Sequence, residues 1–113
     1  MLKYLLSYNN IKIYCYDEVK KFIDNEIVRK KVLYDKINHI LNFISNNKNP
    51  PKKLYKKLEN DIWEIRYHDI RIFCYRKNNK IFFMDIMIKK RDRIGNVQTK
   101  RIRKVLLEVK DKF

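Results

Sequence analysis

Residues 62–88 read IWEIRYHDIRIFCYRKNNKIFFMDIMI, and the predicted fold is built around this segment. Its β-branched and aromatic residues alternate with polar ones, which predicts strands over residues 62–67, 70–75 and 81–88. His68-Asp69 and Asn78-Asn79 separate these strands, and Asn tolerates the left-handed backbone of a tight turn. The stretch therefore predicts an antiparallel meander of three strands.

The flanking segments add one more strand and three helices. IKIYCY at residues 11–16 predicts a strand, and Asp17 stands at the N-cap position of a first helix. The apolar residues of segment 28–46 repeat at helical spacing, and a Pro-Pro pair ends this second helix. Residues 96–112 predict a last amphipathic helix. The order β-α-α-β-β-β-α predicts an α+β fold, with two N-terminal helices and a C-terminal helix packed on an antiparallel sheet.

The composition is typical of one domain that occupies residues 1–113. Hydrophobic residues make up 45% of the chain, and the single Gly and two Pro leave no flexible linker. The N-terminal stretch MLKYLLSYNN lacks the long apolar run of a signal peptide or a membrane span. We therefore expect a soluble cytoplasmic domain that does not associate with membranes.

The formal net charge of +15 at pH 7 is the strongest signal in the composition. Lysine is abundant and alanine is absent, as in chains from AT-rich genomes. Such a coding bias raises the lysine content but not the arginine content. Seven of the eight arginines lie between residues 66 and 103. Because each neutralised phosphate releases counterions, a basic face of this kind favours a nucleic-acid partner over charge that serves solubility alone.

The two cysteines indicate neither a disulfide nor a metal site. Cys15 and Cys74 lie in the apolar segments IKIYCY and IRIFCY, which predicts buried free thiols in strands. No paired histidines stand at metal-ligand spacing. We therefore expect no metal and no cofactor.

Strand alternation gathers charged side chains on one face of the sheet. Glu64 and Arg66 point away from Trp63, which is predicted to be core, and Arg71 shares a face with Tyr75. Arg66 and Arg71 flank the same turn, so we expect them to converge. Further cations that suit phosphate groups are Lys57 and a basic series of Lys89, Lys90, Arg91, Arg93, Lys100, Arg101, Arg103 and Lys104.

Four segments resemble the phage-derived HigB toxins of the RelE/ParE superfamily. They are EVKKFID at 18–24, LENDIWEIR at 58–66, RIFCY at 71–75 and MIKK at 87–90. The resemblance covers about residues 11–109, and its strength lies in the order and spacing of the four segments. It implies the RelE fold and a type II toxin that acts as a metal-independent, ribosome-dependent endoribonuclease. The implied partners are mRNA, the ribosome and a cognate helix-turn-helix antitoxin, HigA-like.

The resemblance also implies roles for individual residues. Arg71 and Arg91 match two arginines of RelE-type enzymes, and Arg66 matches a third basic position. Glu64 stands where RelE carries a catalytic lysine, and Val97 aligns with its tyrosine, so the general acid and base do not carry over.

Several residues are candidates for the proton transfers. Glu64, His68 or a lysine such as Lys89 or Lys90 suits deprotonation of the RNA, and Tyr75 suits positioning or protonation. Arg71 and Arg91 suit stabilisation of the phosphorane, with Arg71 in a partly exposed groove.

The same residues also allow other interpretations. Glu64 and Arg66 are spaced to pair with each other, Tyr75 suits sheet packing, and His68 suits an exposed turn. ParE-like toxins share the architecture but act on DNA gyrase. A non-enzymatic RNA- or ribosome-binding module would use the same basic face without cleaving RNA.

Overall fold

The computed structural model describes residues 2–26, 29–89 and 96–112. Within these ranges the chain forms six strands and three helices, and the predicted α+β class is confirmed. In chain order the elements are β1 (Leu2–Tyr8), β2 (Ile11–Tyr16), α1 (Asp17–Asp24), α2 (Lys30–Ser45), β3 (Tyr55–Glu59), β4 (Ile62–Tyr67), β5 (Ile70–Lys77), β6 (Lys80–Ile88) and α3 (Asn96–Lys112).

The strands form one mixed sheet in the order β1-β2-β6-β5-β4-β3. β4, β5 and β6 make the predicted antiparallel meander. β2 runs parallel to β6, so the prediction of an antiparallel sheet is wrong at this pair. The physical reason is the long connection that follows β2. Between β2 and β6 the chain passes through α1, α2 and the strands β3, β4 and β5, and so long a connection allows the later strand to run in the same direction.

Both edge strands, β1 and β3, were missed by the sequence prediction. β3 reads YKKLE, and only Tyr55 among its residues is buried. β1 changes register between Tyr4 and Leu6, which interrupts its alternation. An edge strand pairs on one side only, and lysines on it discourage pairing with other chains. Its sequence therefore carries little of the apolar alternation that marks an inner strand.

The turns and caps follow local backbone preferences. Asn9, Asp61, His68 and Asn78 have positive φ angles of 53°, 64°, 51° and 54°, and each lies in a two-residue connection between strands. This confirms the turns predicted at His68-Asp69 and Asn78-Asn79. Asp17 is the first residue of α1 and not its N-cap, because Tyr16 holds the extended cap position without a side-chain hydrogen bond.

Helices cover both faces of the sheet. α1 and α2 pack on one face, where the stripe of α2 predicted from the sequence is buried: Leu33, Ile37, Ile40, Leu41 and Ile44. α3 packs on the other face through Ile102, Leu106 and Val109. Cys15 and Cys74 are free and buried on the α1 and α2 face, and burial raises the pKa of the Cys15 thiol to about 11.

Candidate active site

Two rows of side chains cross β4, β5 and β6 on the face that α3 covers. Each row takes one residue from each strand, and the second row lies next to the turn at residues 68–69. From β4 to β6, the first row contains Glu64, Phe73 and Asp85, and the second contains Arg66, Arg71 and Met87. Strand alternation thus brings Glu64, Arg66 and Arg71 into one small area, as predicted, and a register shift in β6 adds Asp85.

Glu64 lies between the two arginines. Its carboxylate is 3% exposed, and its Oε1 lies 3.1 Å from Arg66 Nε and 3.7 Å from Arg71 Nε. Both Nε atoms are buried and make no hydrogen bond within the described part of the chain. A buried charge is costly unless it is paired, so each of these groups depends on the others. We call Glu64, Arg66 and Arg71 the arginine cluster.

Arg71 is more buried than the sequence suggested. Its side chain is only 10% exposed, so the expected partly exposed groove is wrong for this residue. Its Nη1 donates hydrogen bonds to the carbonyl oxygens of His68 (2.5 Å) and Ile70 (2.8 Å), which draw it against the turn. Burial lowers the pKa of the Arg71 guanidinium, and Glu64 opposes that effect. Arg66, 30% exposed, is the more accessible arginine of the cluster.

A second buried acid, Asp85, was missed by the sequence prediction. Its carboxylate accepts hydrogen bonds from the Gln98 side chain and from the Ile86 amide, and lies 3.4 Å from Arg101 Nε on α3. The β5–β6 register shifts beside it, so that Met84 is an extra residue and Asp85 faces α3. The available signal was a lone acid within the apolar run IFFMDIMI.

The remaining predicted catalytic cations follow β6. The Lys89 amide donates to the Asp69 carbonyl at 2.6 Å, which places Lys89 beside the turn of the arginine cluster. Lys90 and Arg91 lie outside the described residues, as does Arg93, which was predicted to bind RNA. Their predicted role beside Arg71 therefore stays a prediction.

His68 and Tyr75 differ in their relation to the cluster. His68 is exposed at the turn, and its carbonyl oxygen accepts a hydrogen bond from Arg71. Tyr75 lies four residues from Arg71 along β5, which is about 13 Å of extended strand. Its ring packs on Phe82 with centroids 5.9 Å apart, and Lys110 Nζ lies 5.7 Å from it. Tyr75 therefore belongs to the packing of α3, whereas His68 adjoins the cluster.

The predicted RNA-binding cations divide between the two sheet faces. Lys100, Arg101 and Lys104 are exposed on α3, and Arg101 reaches the Asp85 carboxylate. Lys57 lies on the other face, with its Nζ 6.0 Å from the centroid of the Trp63 ring. Trp63 itself is half-buried, not a fully buried core residue. Lys57 is therefore separate from the arginine cluster.

This arrangement suits the recognition of a phosphate. Guanidinium groups fixed in advance by a carboxylate lose little freedom when they bind phosphate oxygens, and such preorganisation is effective in stabilising developing charge. Glu64 is poorly placed as a base, because it is buried and paired with two cations. Among the described residues, no three His, Cys, Asp or Glu side chains group as metal ligands.

No helix in the described part of the chain has the length and apolar character needed to cross a membrane. Comparison of the chain with protein-family models, with curated proteins and with solved structures finds no match.

Proposed function

We propose that this chain is a type II toxin of the HigB-like branch of the RelE/ParE superfamily, with the RelE fold, that cuts mRNA on the ribosome in the cytoplasm. The observation that carries the proposal is the arginine cluster. Two guanidinium groups are held by one buried carboxylate, at the end of the sheet where the basic segment from Lys89 begins. The resemblance suggests the class of protein, and the cluster offers the chemistry.

Cleavage through the 2′-hydroxyl of RNA has three chemical requirements. The hydroxyl proton must leave, the pentavalent phosphorane must be stabilised, and the leaving 5′-oxygen must be protonated. Arg66 and Arg71 supply positive charge to the phosphorane, and Arg91 is proposed to add a third guanidinium. Glu64 is a positioning residue, because its carboxylate forms ion pairs with both arginines, at 3.1 Å from Arg66 Nε and 3.7 Å from Arg71 Nε. The proton transfers fall to groups beside the turn, namely His68, Lys89 and Lys90.

An active nuclease of this kind would poison its own host and therefore needs a partner that inhibits it. The proposed partner is a small acidic helix-turn-helix antitoxin, HigA-like, whose carboxylates face the cations around Arg66 and Lys89. Opposite charge makes such an association fast and salt-sensitive. Co-expression with the product of an adjacent gene of this kind is expected to restore growth and to yield a co-purifying complex.

The direct test is an mRNA cleavage assay with purified protein and purified ribosomes. New 5′ ends, mapped by primer extension, are expected only when ribosomes and the protein are both present. Arg66→Ala is expected to lower the cleavage rate by roughly 10²–10³, the usual effect of removing one preorganised donor. Arg103→Ala is the matched control, because Arg103 is 59% exposed and pairs with Glu59 on another part of the sheet.

Three results would contradict the proposal. Equal cleavage by both variants would remove the arginine cluster from the chemistry. Salt-sensitive binding to ribosomes without any new 5′ end would favour the non-enzymatic RNA-binding module. Stabilisation of the DNA gyrase cleavage complex would favour a ParE-like toxin.

A further inference from the structure

A second basic surface lies on the sheet face opposite the arginine cluster. It is an open groove of about 450 Å³ at the junction between the end of α2 and the edge strand β3. We call it the β3 groove. Its walls contain Lys48, Asn49, Pro50, Lys52, Tyr55, Lys56, Lys57, Trp63 and Arg76. Trp63 alternates with Glu64 along β4, so Trp63 and the cluster are on different faces. Lys56, which is opposite Glu64 in the β3–β4 pair, lies at the sheet edge on the cluster's face.

Every charged residue that lines the β3 groove is a cation. Five of its nine lining residues are Lys or Arg, and none is Asp or Glu. Within the described ranges, no carboxylate forms an ion pair with any of these five cations. By contrast, Arg66, Arg71 and Arg101 on the other face are all paired with acids. The positive charge of the groove is therefore available to a polyanion.

An aromatic platform lies among these cations. The rings of Tyr55 and Trp63 are stacked, with centroids 4.7 Å apart and an interplanar angle of 8°. Tyr55 is only 4% exposed and stacks on the Trp63 indole, while the indole itself is partly exposed and lines the groove. Lys57 Nζ approaches the same indole at 6.0 Å. A rigid, partly exposed indole beside lysines is an arrangement that stacks bases and follows a phosphate backbone.

We propose that the β3 groove binds single-stranded RNA, with one base stacked against Trp63 and neighbouring phosphates neutralised by the surrounding lysines and Arg76. The choice of RNA over other polyanions rests on the proposed function, but binding in the groove requires no cleavage. A duplex offers no unstacked base and is expected to bind weakly. The groove therefore adds a capture surface for RNA that is separate from the arginine cluster.

The chain contains a single tryptophan, so its fluorescence reports directly on the groove. Titration of the purified protein with an eight-nucleotide oligouridylate, without ribosomes, is expected to quench the Trp63 emission. If about three phosphates are neutralised, the log–log dependence of affinity on salt has a slope of about −2 for a single strand. An RNA duplex of the same length and a short polyglutamate peptide are the comparison probes.

Variants test the site through the anisotropy of a labelled oligouridylate. Lys52→Ala combined with Lys57→Ala removes two exposed charges from the groove, and its matched control is Lys21→Ala combined with Lys31→Ala, two exposed lysines on α1 and α2. The groove variant is expected to bind at least about 10-fold more weakly than the control. Trp63→Ala, provided its circular dichroism is native, is expected to lose roughly 5- to 150-fold in affinity, as for one stacked base.

Three outcomes would overturn the inference: no quenching by the single strand, equal binding of the duplex, or equal affinity in the two double variants. Quenching by polyglutamate at lower concentration than RNA would instead assign the groove to an acidic protein segment. These readouts do not involve ribosomes. Loss of ribosome-dependent cleavage with intact oligonucleotide binding would therefore contradict only the proposed function, and the reverse result would contradict only the groove.

Discussion

Glu64→Gln is the substitution that most sharply tests the physical reading of the arginine cluster. Gln keeps the size and shape of the side chain and removes its charge. The carboxylate is 3% exposed and is paired with Arg71, which is 10% exposed, and with Arg66, which is 30% exposed. The variant therefore leaves the buried Arg71 charge without a carboxylate, while its hydrogen bonds to the carbonyl oxygens of His68 and Ile70 remain.

The expected loss follows from this burial. Removing one partner of a buried ion pair costs about 3–5 kcal/mol, because the other charge stays buried without compensation. We expect a loss at the lower end of this range, about 3 kcal/mol, because the Arg66 guanidinium can be solvated and Arg71 keeps its hydrogen bonds to the backbone. For a chain of this length, about 4 °C of Tm per kcal/mol gives a shift of about 12 °C.

The assay is thermal and urea unfolding followed by circular dichroism. Glu59→Gln is the matched control, since it removes the same charge from an exposed ion pair with Arg103, and such pairs contribute less than about 1 kcal/mol. A difference between the two variants of less than about 0.5 kcal/mol would mean that Glu64 does not compensate a buried guanidinium.

Three further predictions concern the rest of the fold. Ile37→Ala, at a fully buried position of α2, is expected to cost about 2–5 kcal/mol in urea unfolding, whereas the exposed Val32→Ala costs under about 0.5 kcal/mol. Burial raises the folded-state pKa of Cys15 to about 11, above its ordinary value of 9.0. The free energy of unfolding should therefore be unaffected by this thiol below pH 9 and should fall as the pH rises from 9 to 11. Cys15→Ala should show a smaller fall over that range. Arg29 lowers the folded-state pKa of Asp69. Asp69→Asn should therefore unfold more easily than the wild type at neutral pH, and the difference should disappear in acid, where the wild-type carboxyl is protonated.

Inner elements were predictable because burial imposes a periodic pattern on them. The β4–β6 meander and the α2 stripe each bury one regular set of apolar side chains, and their positions follow from spacing alone. The edge strands β1 and β3 bury too little to impose such a pattern. The direction of β2 relative to β6 was also out of reach, because alternation of side chains is the same in parallel and antiparallel strands.

The candidate site was predictable only in part, and for a related reason. The convergence of Glu64, Arg66 and Arg71 follows from a two-residue turn and alternation. The position of Asp85 depends on one extra residue in β6, and a one-residue shift moves every later side chain to the other face. The burial of Arg71 depends on hydrogen bonds to the turn carbonyls, which no sequence pattern encodes.

The net charge of +15 acts differently on the two faces of the sheet. On the α3 face, arginines are paired with acids, and two of those acids, Glu64 and Asp85, are buried. Salt screens exposed charges strongly and buried pairs weakly, so these arginines keep their geometry as ionic strength changes. In the β3 groove the cations are unpaired among the described residues and exposed to screening. Salt should therefore weaken capture of RNA at the groove before it disturbs the arginine cluster. A rise in ionic strength should raise the RNA concentration needed for half-maximal cleavage and leave the maximal rate nearly unchanged.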